Sequence, residues 1–350
     1  MYEKYLFDTF SFASKFLISS YVKLKEMMCL KKGIIVLLLC IVLVGGCLFI
    51  YKIFHPSMKS NLMKLNETMT SYELSGTLEL VSQDALKSIQ VQSLYKREND
   101  IDYYYVRLED EHTHQVQTIV KNQEGVFVYS QGFNRPFQFK TDWPNNSFKP
   151  YILNNVLNIL LSSTQEKIQD GYVLSTELTE KTYPEVRQVK VLFDQHDVMQ
   201  MVSLFDGNNQ QVLKFNVTTY LINPDIDTNI FTLDSHEEVS SVIQEDLPLY
   251  PTHLSHVELI DQLQLSNSLV LRYKGEQYFS LVETPVAKME EVMTDLNDLY
   301  VLEDGFIYTT NQEVSCIKHG IQTTIYATDL SLDEKLNILI SLENNIVIDS

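Results

Sequence analysis

The chain has 350 residues, 45% of them hydrophobic, which is enough for a sizeable core and argues against wholesale disorder. Its formal net charge is -19, from 46 acidic and 27 basic side chains, and this argues against a nucleic-acid partner because phosphate binding needs clustered Lys and Arg. The length allows two ordinary domains.

Residues 33–53 form a predicted membrane segment. No charged side chain occurs between positions 33 and 50, and Leu, Ile and Val dominate, so a helix here is just long enough to cross a bilayer. Lys31 and Lys32 precede this segment, and only Lys52 follows it closely. The positive-inside rule therefore predicts a single-pass protein of the cell membrane, with residues 1–32 as a short cytoplasmic segment and the remainder extracytoplasmic.

A lipid anchor is the alternative to an uncleaved helix. Residues 44–47 read Val-Gly-Gly-Cys, which resembles a bacterial lipobox, so Cys47 is a candidate for lipidation. The apolar run continues past Cys47 to Ile50, and this favours the uncleaved helix. Replacing Cys47 with Ser distinguishes the two, since a lipoprotein would lose its membrane retention.

The first part of the ectodomain changes from helical to strand periodicity. Apolar residues at helical spacing predict an amphipathic helix over residues 55–70. Alternation of period two then predicts six strands, at residues 72–80, 89–96, 102–108, 115–120, 125–129 and 137–140. Successive strands without intervening helices indicate an antiparallel meander that could be curled.

A second helix and more strands complete this region. Residues 150–161 predict a helix with an unusually wide apolar face, which includes Val156 and Leu160. Further strands are predicted at residues 171–178, 187–193, 198–205 and 210–221. Pro224 and the polar residues 235–238 indicate a domain boundary, so the predicted domains are residues 55–238 and 239–350.

The predicted C-terminal domain is a small α+β unit. Its strands are predicted at residues 268–273, 278–283, 305–310, 313–318 and 322–327, with a turn at His319-Gly320. Thr284 and Pro285 predict the start of a helix that continues to Leu296. Ser331 and Glu334 have capping-box spacing at the start of another helix.

No chemistry-bearing motif emerges, so the sequence predicts a protein that is not an enzyme and has no cofactor or metal site. A glycine-rich phosphate loop and a serine elbow are both absent from the sequence. Asp225, Asp227 and Asn229 imitate the start of a calcium loop, but Ile230 stands where that loop needs glycine. Cys316 lies in a predicted strand and is interpreted as a small buried hydrophobe.

Three stretches resemble the LolA-like lipoprotein-carrier superfamily, in particular its Gram-positive branch of sporulation and germination lipoproteins. They are Gln-Thr-Ile-Val-Lys-Asn-Gln-Glu-Gly-Val-Phe-Val (117–128), Phe-Gln-Phe-Lys-Thr-Asp-Trp-Pro-Asn-Asn-Ser (137–147) and Pro-Tyr-Ile-Leu (150–153). The likeness covers about residues 58–235. Residues 272–275 and 320–327 are similar to the small C-terminal domain of RseB/MucB-like regulators of envelope stress.

The resemblance implies an α+β fold, with a curled antiparallel half-barrel plugged by helices, followed by a small α+β domain. It also implies binding of lipid acyl chains or a lipoprotein, in sporulation or cell-envelope maturation. The candidate residues for a lipid-binding cavity are those of the central strands and the wide-faced helix: Tyr105, Phe127, Phe137, Phe139, Trp143, Val156 and Leu160. On composition alone, the same residues can form an ordinary core.

A second hypothesis assigns the chain to another class of protein. On this hypothesis it is a non-enzymatic envelope signalling and protein-interaction module, whose C-terminal domain docks a membrane protein partner. Both hypotheses keep the cytoplasmic membrane as a partner through the N-terminal helix.

Overall fold

The computed structural model describes residues 58–82, 85–130, 136–232, 248–252, 257–275, 277–286, 298–310 and 313–344. The predicted membrane segment and Cys47 lie outside these residues. Within them, no helix is long and apolar enough to cross a membrane. Both sheets described below belong to the compact unit Leu62–Ser350.

The first sheet is antiparallel and has eleven strands. Its spatial order is β6-β5-β4-β3-β2-β1-β11-β10-β9-β8-β7, so β6 and β7 are its edges and the sheet does not close on itself. The strands are β1 (Ser71–Ser82), β2 (Ala85–Glu98), β3 (Ile101–Asp110), β4 (Val116–Asn122), β5 (Gly125–Ser130), β6 (Phe137–Phe139), β7 (Thr164–Ile168), β8 (Gly171–Glu177), β9 (Val186–Asp194), β10 (Met199–Asp206) and β11 (Gln211–Ile222). Pairing of β1 with β11 joins two meanders into one sheet.

Gly76 marks a close approach of β1 to β11. The register shifts between Ser75 and Gly76, as in a β-bulge. A Cβ atom at position 76 would lie 2.1 Å from the carbonyl oxygen of Asn216. Only glycine therefore fits the strand at this point.

The two faces of the first sheet are covered by different segments. Residues paired directly across antiparallel strands point to the same side, so Tyr72, Tyr95 and Tyr104 share one face, which we call the inner face. Their rings contact one another, with centroids 5.3 and 4.9 Å apart. The outer face carries a separate apolar cluster that includes Leu94, Tyr105, Val120, Phe127, Tyr129, Ile226 and Phe231.

Residues 143–160, which we call the covering segment, lie over the inner face. The ring of Trp143 contacts that of Tyr104, with centroids 5.9 Å apart, and the ring of Tyr151 contacts Phe215 at 6.5 Å. The segment ends in helix α2 (Leu153–Leu160), which follows helix α1 (Met58–Thr68) in the chain. Leu153, Val156, Leu157 and Leu160 of α2 are all buried.

The second sheet is also antiparallel, with seven strands in the order β13-β14-β15-β19-β18-β17-β16. The strands are β13 (Glu258–Gln264), β14 (Leu269–Lys274), β15 (Tyr278–Pro285), β16 (Leu299–Val301), β17 (Gly305–Thr309), β18 (Val314–Lys318) and β19 (Ile321–Tyr326). Strands β12 (Leu249–Pro251) and β20 (Leu342–Asn344) pair separately. Helix α3 (Leu332–Ile340) contacts β17, β18 and β19, and its Leu336 and Leu339 are buried in the apolar cluster of this sheet.

Two local predictions for this region are confirmed. The Ser331 hydroxyl accepts a hydrogen bond from the Glu334 amide, and the Glu334 side chain accepts one from the Ser331 amide, so the capping box forms. His319 and Gly320 have positive φ values of 50° and 73° between the paired residues Lys318 and Ile321. This is the backbone that a two-residue hairpin turn needs.

Some predicted boundaries are wrong for physical reasons. The predicted helix opening at Thr284 and Pro285 is a strand end instead, since these residues pair with Gln322 and Ile321 of β19. Residues 287–296 of the predicted helix lie outside the described residues. Helix α2 begins at Leu153, three residues after the predicted start. Residues 149–152 form a turn instead, in which the Ile152 amide donates a hydrogen bond to the Lys149 carbonyl.

Candidate functional site

A hairpin of the second sheet meets the first sheet through a turn that we call the acidic turn, Leu302–Asp304, between β16 and β17. The amide of Leu302 donates to the carbonyl of Gly305 across this turn (2.9 Å). At Gly305 a Cβ atom would lie 2.1 Å from the carbonyl oxygen of Ile317 on β18, so the hairpin can pack this closely only with glycine. The turn thus carries two adjacent carboxylates, Glu303 and Asp304.

Glu303 meets a buried lysine of the covering segment. Nζ of Lys149 lies 3.7 Å from Oε1 of Glu303, and the Lys149 side chain has no exposed surface. The ammonium also donates to the Thr182 hydroxyl (3.2 Å) and lies over the Tyr183 ring, 4.7 Å from its centroid. The Tyr183 hydroxyl donates to Glu303, and burial together with that carboxylate raises the pKa of Tyr183 well above its usual value.

Asp304 lies among three basic side chains. Its Oδ2 is 3.2 Å from Lys318 Nζ, 3.3 Å from Lys87 Nζ and 3.7 Å from His319 Nε2. Burial opposes ionisation of Asp304, but the charges of Lys318, Lys87 and His319 outweigh it and lower its pKa. Burial likewise opposes the charge of Lys318, but Asp304 outweighs it and raises the pKa of that ammonium.

Apolar and neutral polar contacts complete the junction between the sheets. The Phe306 ring packs edge-on against Phe137 and Phe139 of β6, with centroids 5.0 and 5.7 Å apart. Nδ2 of Asn146 in the covering segment donates to the carbonyl of Leu299 (2.8 Å). The second sheet therefore contacts both the edge of the first sheet and the segment that covers its inner face.

A small open cleft lies beside the acidic turn. It is lined by polar groups of the first sheet, including Lys87, Asp110 and Gln117, and by Asp304 and His319 of the second. Gln117 is buried, and its amide nitrogen donates to the carbonyl of Leu302 (3.3 Å). Lys87 bridges the cleft, with Nζ 3.8 Å from Asp110 and 3.3 Å from Asp304. The cleft is thus an ion-paired junction rather than an apolar cavity.

The covering segment is incompletely hydrogen-bonded. Five of its buried polar atoms have no hydrogen-bond partner among the described residues: Trp143 Nε1, Asn146 Oδ1, Ser147 Oγ, Tyr151 Oη and Asn154 Oδ1. Helix α2 also has no side-chain cap, because its N-cap residue is Ile152. Each buried group without a partner costs free energy. The part of the segment before α2 nevertheless has polar ties, since Lys121 Nζ donates to the Trp143 carbonyl (2.7 Å) and Lys149 pairs with Glu303. Helix α2 itself covers the inner face with buried apolar side chains.

The structure places the seven predicted cavity residues in two separate layers. All seven are buried, none more than 7% exposed. Tyr105 and Phe127 belong to the outer-face cluster beneath Ile226 and Phe231. The other five lie on the inner-face side: Phe137 and Phe139 on β6, Trp143 in the covering segment, and Val156 and Leu160 on α2.

Sequence reasoning missed the charged residues of the junction. Lys149 stands alone in an apolar stretch directly before Pro150, and this isolation was a signal that it needed a distant partner. Glu303 and Asp304 look like an ordinary solvated turn, and β16 before them was not predicted. The interpretation of Cys316 as a buried residue holds, and burial raises its pKa to about 12. Asp227 caps a 3-10 helix (Thr228–Phe231), which was not predicted from the sequence.

Comparisons with known proteins agree with the resemblance found in the sequence. No protein-family model matches the chain. The chain is 22% identical to "Sporulation protein YdcC" of Bacillus subtilis over 293 residues, which are 78% of this chain and 86% of that protein. The predicted resemblance to sporulation proteins is therefore confirmed at the level of sequence similarity.

Two groups of solved structures are similar to the chain. MucB of Pseudomonas aeruginosa, solved in complex with MucA, is 15% identical and covers 82% of this chain and 98% of its own, with a TM-score of 0.32. A putative outer membrane lipoprotein-sorting protein domain from Vibrio parahaemolyticus is 11% identical and covers 52% of this chain and 97% of its own, with a TM-score of 0.31.

Proposed function

We propose that the protein is a non-enzymatic, extracytoplasmic module that binds lipid acyl chains or a lipoprotein on the inner face of its first sheet. In this proposal residues 33–53 tether it to the cell membrane, and it acts in sporulation or cell-envelope maturation. Similarity to a sporulation protein of Bacillus subtilis supports the process. The apolar contacts of the covering segment support an acyl chain as the ligand.

One observation carries the proposal: the inner face is covered by a short helix instead of a second sheet. Helix α2 has eight residues and no side-chain cap, yet it buries Val156, Leu157 and Leu160. Isolated helices of this length are unstable in water, so α2 depends on its apolar contacts. An acyl chain offers the inner face equivalent contacts, and it can replace those of α2 without a charged or strongly polar recognition group.

Native mass spectrometry of the ectodomain, purified without detergent, tests this proposal. We expect a mass excess that matches a phospholipid, a fatty acid or a lipopeptide and that disappears on denaturation. A bare polypeptide mass, together with no uptake of a fluorescent fatty acid, would contradict lipid binding.

Two neighbouring leucines provide a matched pair for the same assay. Leu160 is 1% exposed and Leu161 is 41% exposed, although they are adjacent on α2 and its C-cap. We expect Leu160→Asp to reduce fatty-acid uptake strongly and Leu161→Asp to leave it unchanged. The free energy of unfolding is measured for both variants. If uptake falls only in proportion to the unfolded fraction, these residues form an ordinary core.

Docking of a membrane protein partner is the second candidate function, and one observation favours it. Strand β13, at one edge of the second sheet as the described residues form it, is exposed along its whole length. Removing residues 239–350 is a poor test because it would uncover Phe137 and Phe139, which pack against Phe306. Substitutions of exposed residues on β13 test docking without disturbing the contact between the two sheets.

A further inference from the structure

The two edges of the second sheet differ sharply in burial. At one edge, all three residues of β16 are buried, and its Leu299 carbonyl accepts the hydrogen bond from Asn146. At the other edge, all seven residues of β13 are exposed. Strand β13 pairs with β14 alone, so one side of its backbone has no strand partner among the described residues.

Strand β13 is unusually apolar for a free edge. Its Leu259, Ile260 and Leu263 are 38%, 48% and 46% exposed, and Leu265, directly after the strand, is 46% exposed. Natural edge strands usually avoid this combination because it promotes pairing with other chains. The protective features of β13 include a register shift between Leu259 and Asp261 and the acidic side chains of Glu258 and Asp261. Solvent exposure of this edge is therefore costly in the isolated protein.

Aromatic side chains extend the surface beyond the edge strand. Asp261 pairs with Arg272, which pairs with Ser280, which pairs with Tyr326, so all four point to one face of the sheet. Tyr278, two residues before Ser280, points the same way. Tyr278 and Tyr326 are 64% and 48% exposed. Tyr278 and Tyr326 thus share one face of the sheet with Asp261 and Leu263, and exposed aromatic side chains are typical of protein-interaction surfaces.

The charge of the protein favours one kind of binding partner for this surface over another. The chain carries a formal charge of -19, which opposes the approach of a second copy and favours a cationic partner. Glu258 and Asp261 place carboxylates on the edge itself. The ion pair of Asp261 with Arg272 (3.0 Å) is half exposed on both sides, so it is weak and can be exchanged for a partner's cation.

We infer that β13 is a docking site for an extended segment of another protein, which alternates apolar and basic residues and adds to the second sheet as an eighth strand. Backbone hydrogen bonds to the free edge would supply affinity, and contacts with Leu263 and Asp261 would supply specificity. This inference deepens the docking function proposed above by naming the surface and the chemistry of the partner. It does not depend on lipid binding.

Site-specific photo-crosslinking of the full chain in its native cell tests the inference. The photoreactive residue p-benzoylphenylalanine replaces Ile260 or Leu263 on β13. The control position is Leu221 on β11 of the first sheet, which is equally exposed at 48%. We expect both edge positions to crosslink one extended basic segment, a few residues apart, with a yield about ten-fold above the control.

A charge reversal makes the test specific to the proposed chemistry. Asp261→Lys is expected to reduce crosslinking from position 263 several-fold, while the lipid-bound mass of the ectodomain stays unchanged. Yields equal to the control, crosslinks to copies of this chain, or crosslinks to an acidic or helical segment would each overturn the inference. If native mass spectrometry shows no bound lipid but β13 still crosslinks the basic segment, only the lipid-binding proposal is contradicted.

Discussion

The ammonium of Lys149 lies 3.7 Å from the carboxylate of Glu303, and this ion pair joins the covering segment of the first sheet to the acidic turn of the second. The Lys149 side chain has no exposed surface, while that of Glu303 is 10% exposed. Removing one partner of such a pair leaves a desolvated charge, which costs more than the pair itself contributes.

We therefore expect Glu303→Gln to lower the free energy of unfolding by roughly 3–5 kcal/mol. The double variant Lys149→Met with Glu303→Gln should recover part of that loss, because it leaves no buried ammonium. Urea unfolding of the wild type, both single variants and the double variant gives the coupling energy. Strictly additive effects would show that the two charges do not interact.

The ion pairs of Asp304 predict a loss of stability in acid. Neighbouring cations lower the pKa of Asp304 in the folded protein below its usual 3.8, so its contribution is fully present above that value. It is lost as the pH falls through the lowered pKa. The difference in unfolding free energy between wild type and Asp304→Asn should be larger at pH 5 than at pH 3 and should shrink progressively below pH 4. A difference that grows in acid would contradict this assignment.

Glu283 predicts the opposite trend at higher pH. Its side chain on β15 is fully buried and accepts hydrogen bonds from the Leu249 amide, at 3.1 and 3.2 Å. Burial raises its pKa from 4.5 to about 8, although the Leu249 amide opposes this shift. Between these values the unfolded chain is ionised and the folded one protonated, so stability falls as the pH rises, by up to about 5 kcal/mol.

The Glu283→Gln variant isolates this effect. It should match the wild type near pH 5 and exceed it in unfolding free energy near pH 8, because an amide mimics the protonated acid. Glu166→Gln on the exposed strand β7 is the control and should keep the wild-type slope. Parallel stability curves for Glu283→Gln and wild type would show that Glu283 is ionised throughout.

The capping box of α3 predicts a smaller, local effect. Ser331→Ala removes the acceptor for the Glu334 amide, and loss of an N-cap typically costs ~1 kcal/mol. Thermal unfolding should show a lower midpoint, and Ser331→Asp should restore most of it. If both substitutions lower the midpoint equally, the hydroxyl has some other role.

Periodicity predicted most of the first sheet because its strands alternate buried and exposed residues. Strand β9, for example, buries every second residue from Val189 to Phe193. Strands β7 and β13 were missed because all their residues are exposed, so neither has a buried face to impose alternation. Short β16 was missed for the opposite reason, since all three of its residues are buried.

The site was harder to predict than the fold. Tyr105 and Phe137 are alike in sequence pattern, but strand register places them on opposite faces of the sheet. Lys149 and Glu303 are separated by 154 positions in the chain. Lys149 lies in the covering segment of the first sheet and Glu303 in the acidic turn of the second, so no local sequence pattern could predict that they pair. Such pairs depend on how the two sheets pack against each other, and this packing cannot be read from composition or from the spacing of residues.

Trp143, the single tryptophan of the chain, is fully buried where the covering segment meets Tyr104. Excitation at the red edge of protein absorbance therefore gives emission from Trp143 alone, and no dye has to be introduced. Movement of the covering segment away from the sheet would transfer the indole to water and shift its emission to longer wavelength. If the proposed lipid displaces the covering segment, the emission of Trp143 should therefore shift during a titration with that lipid.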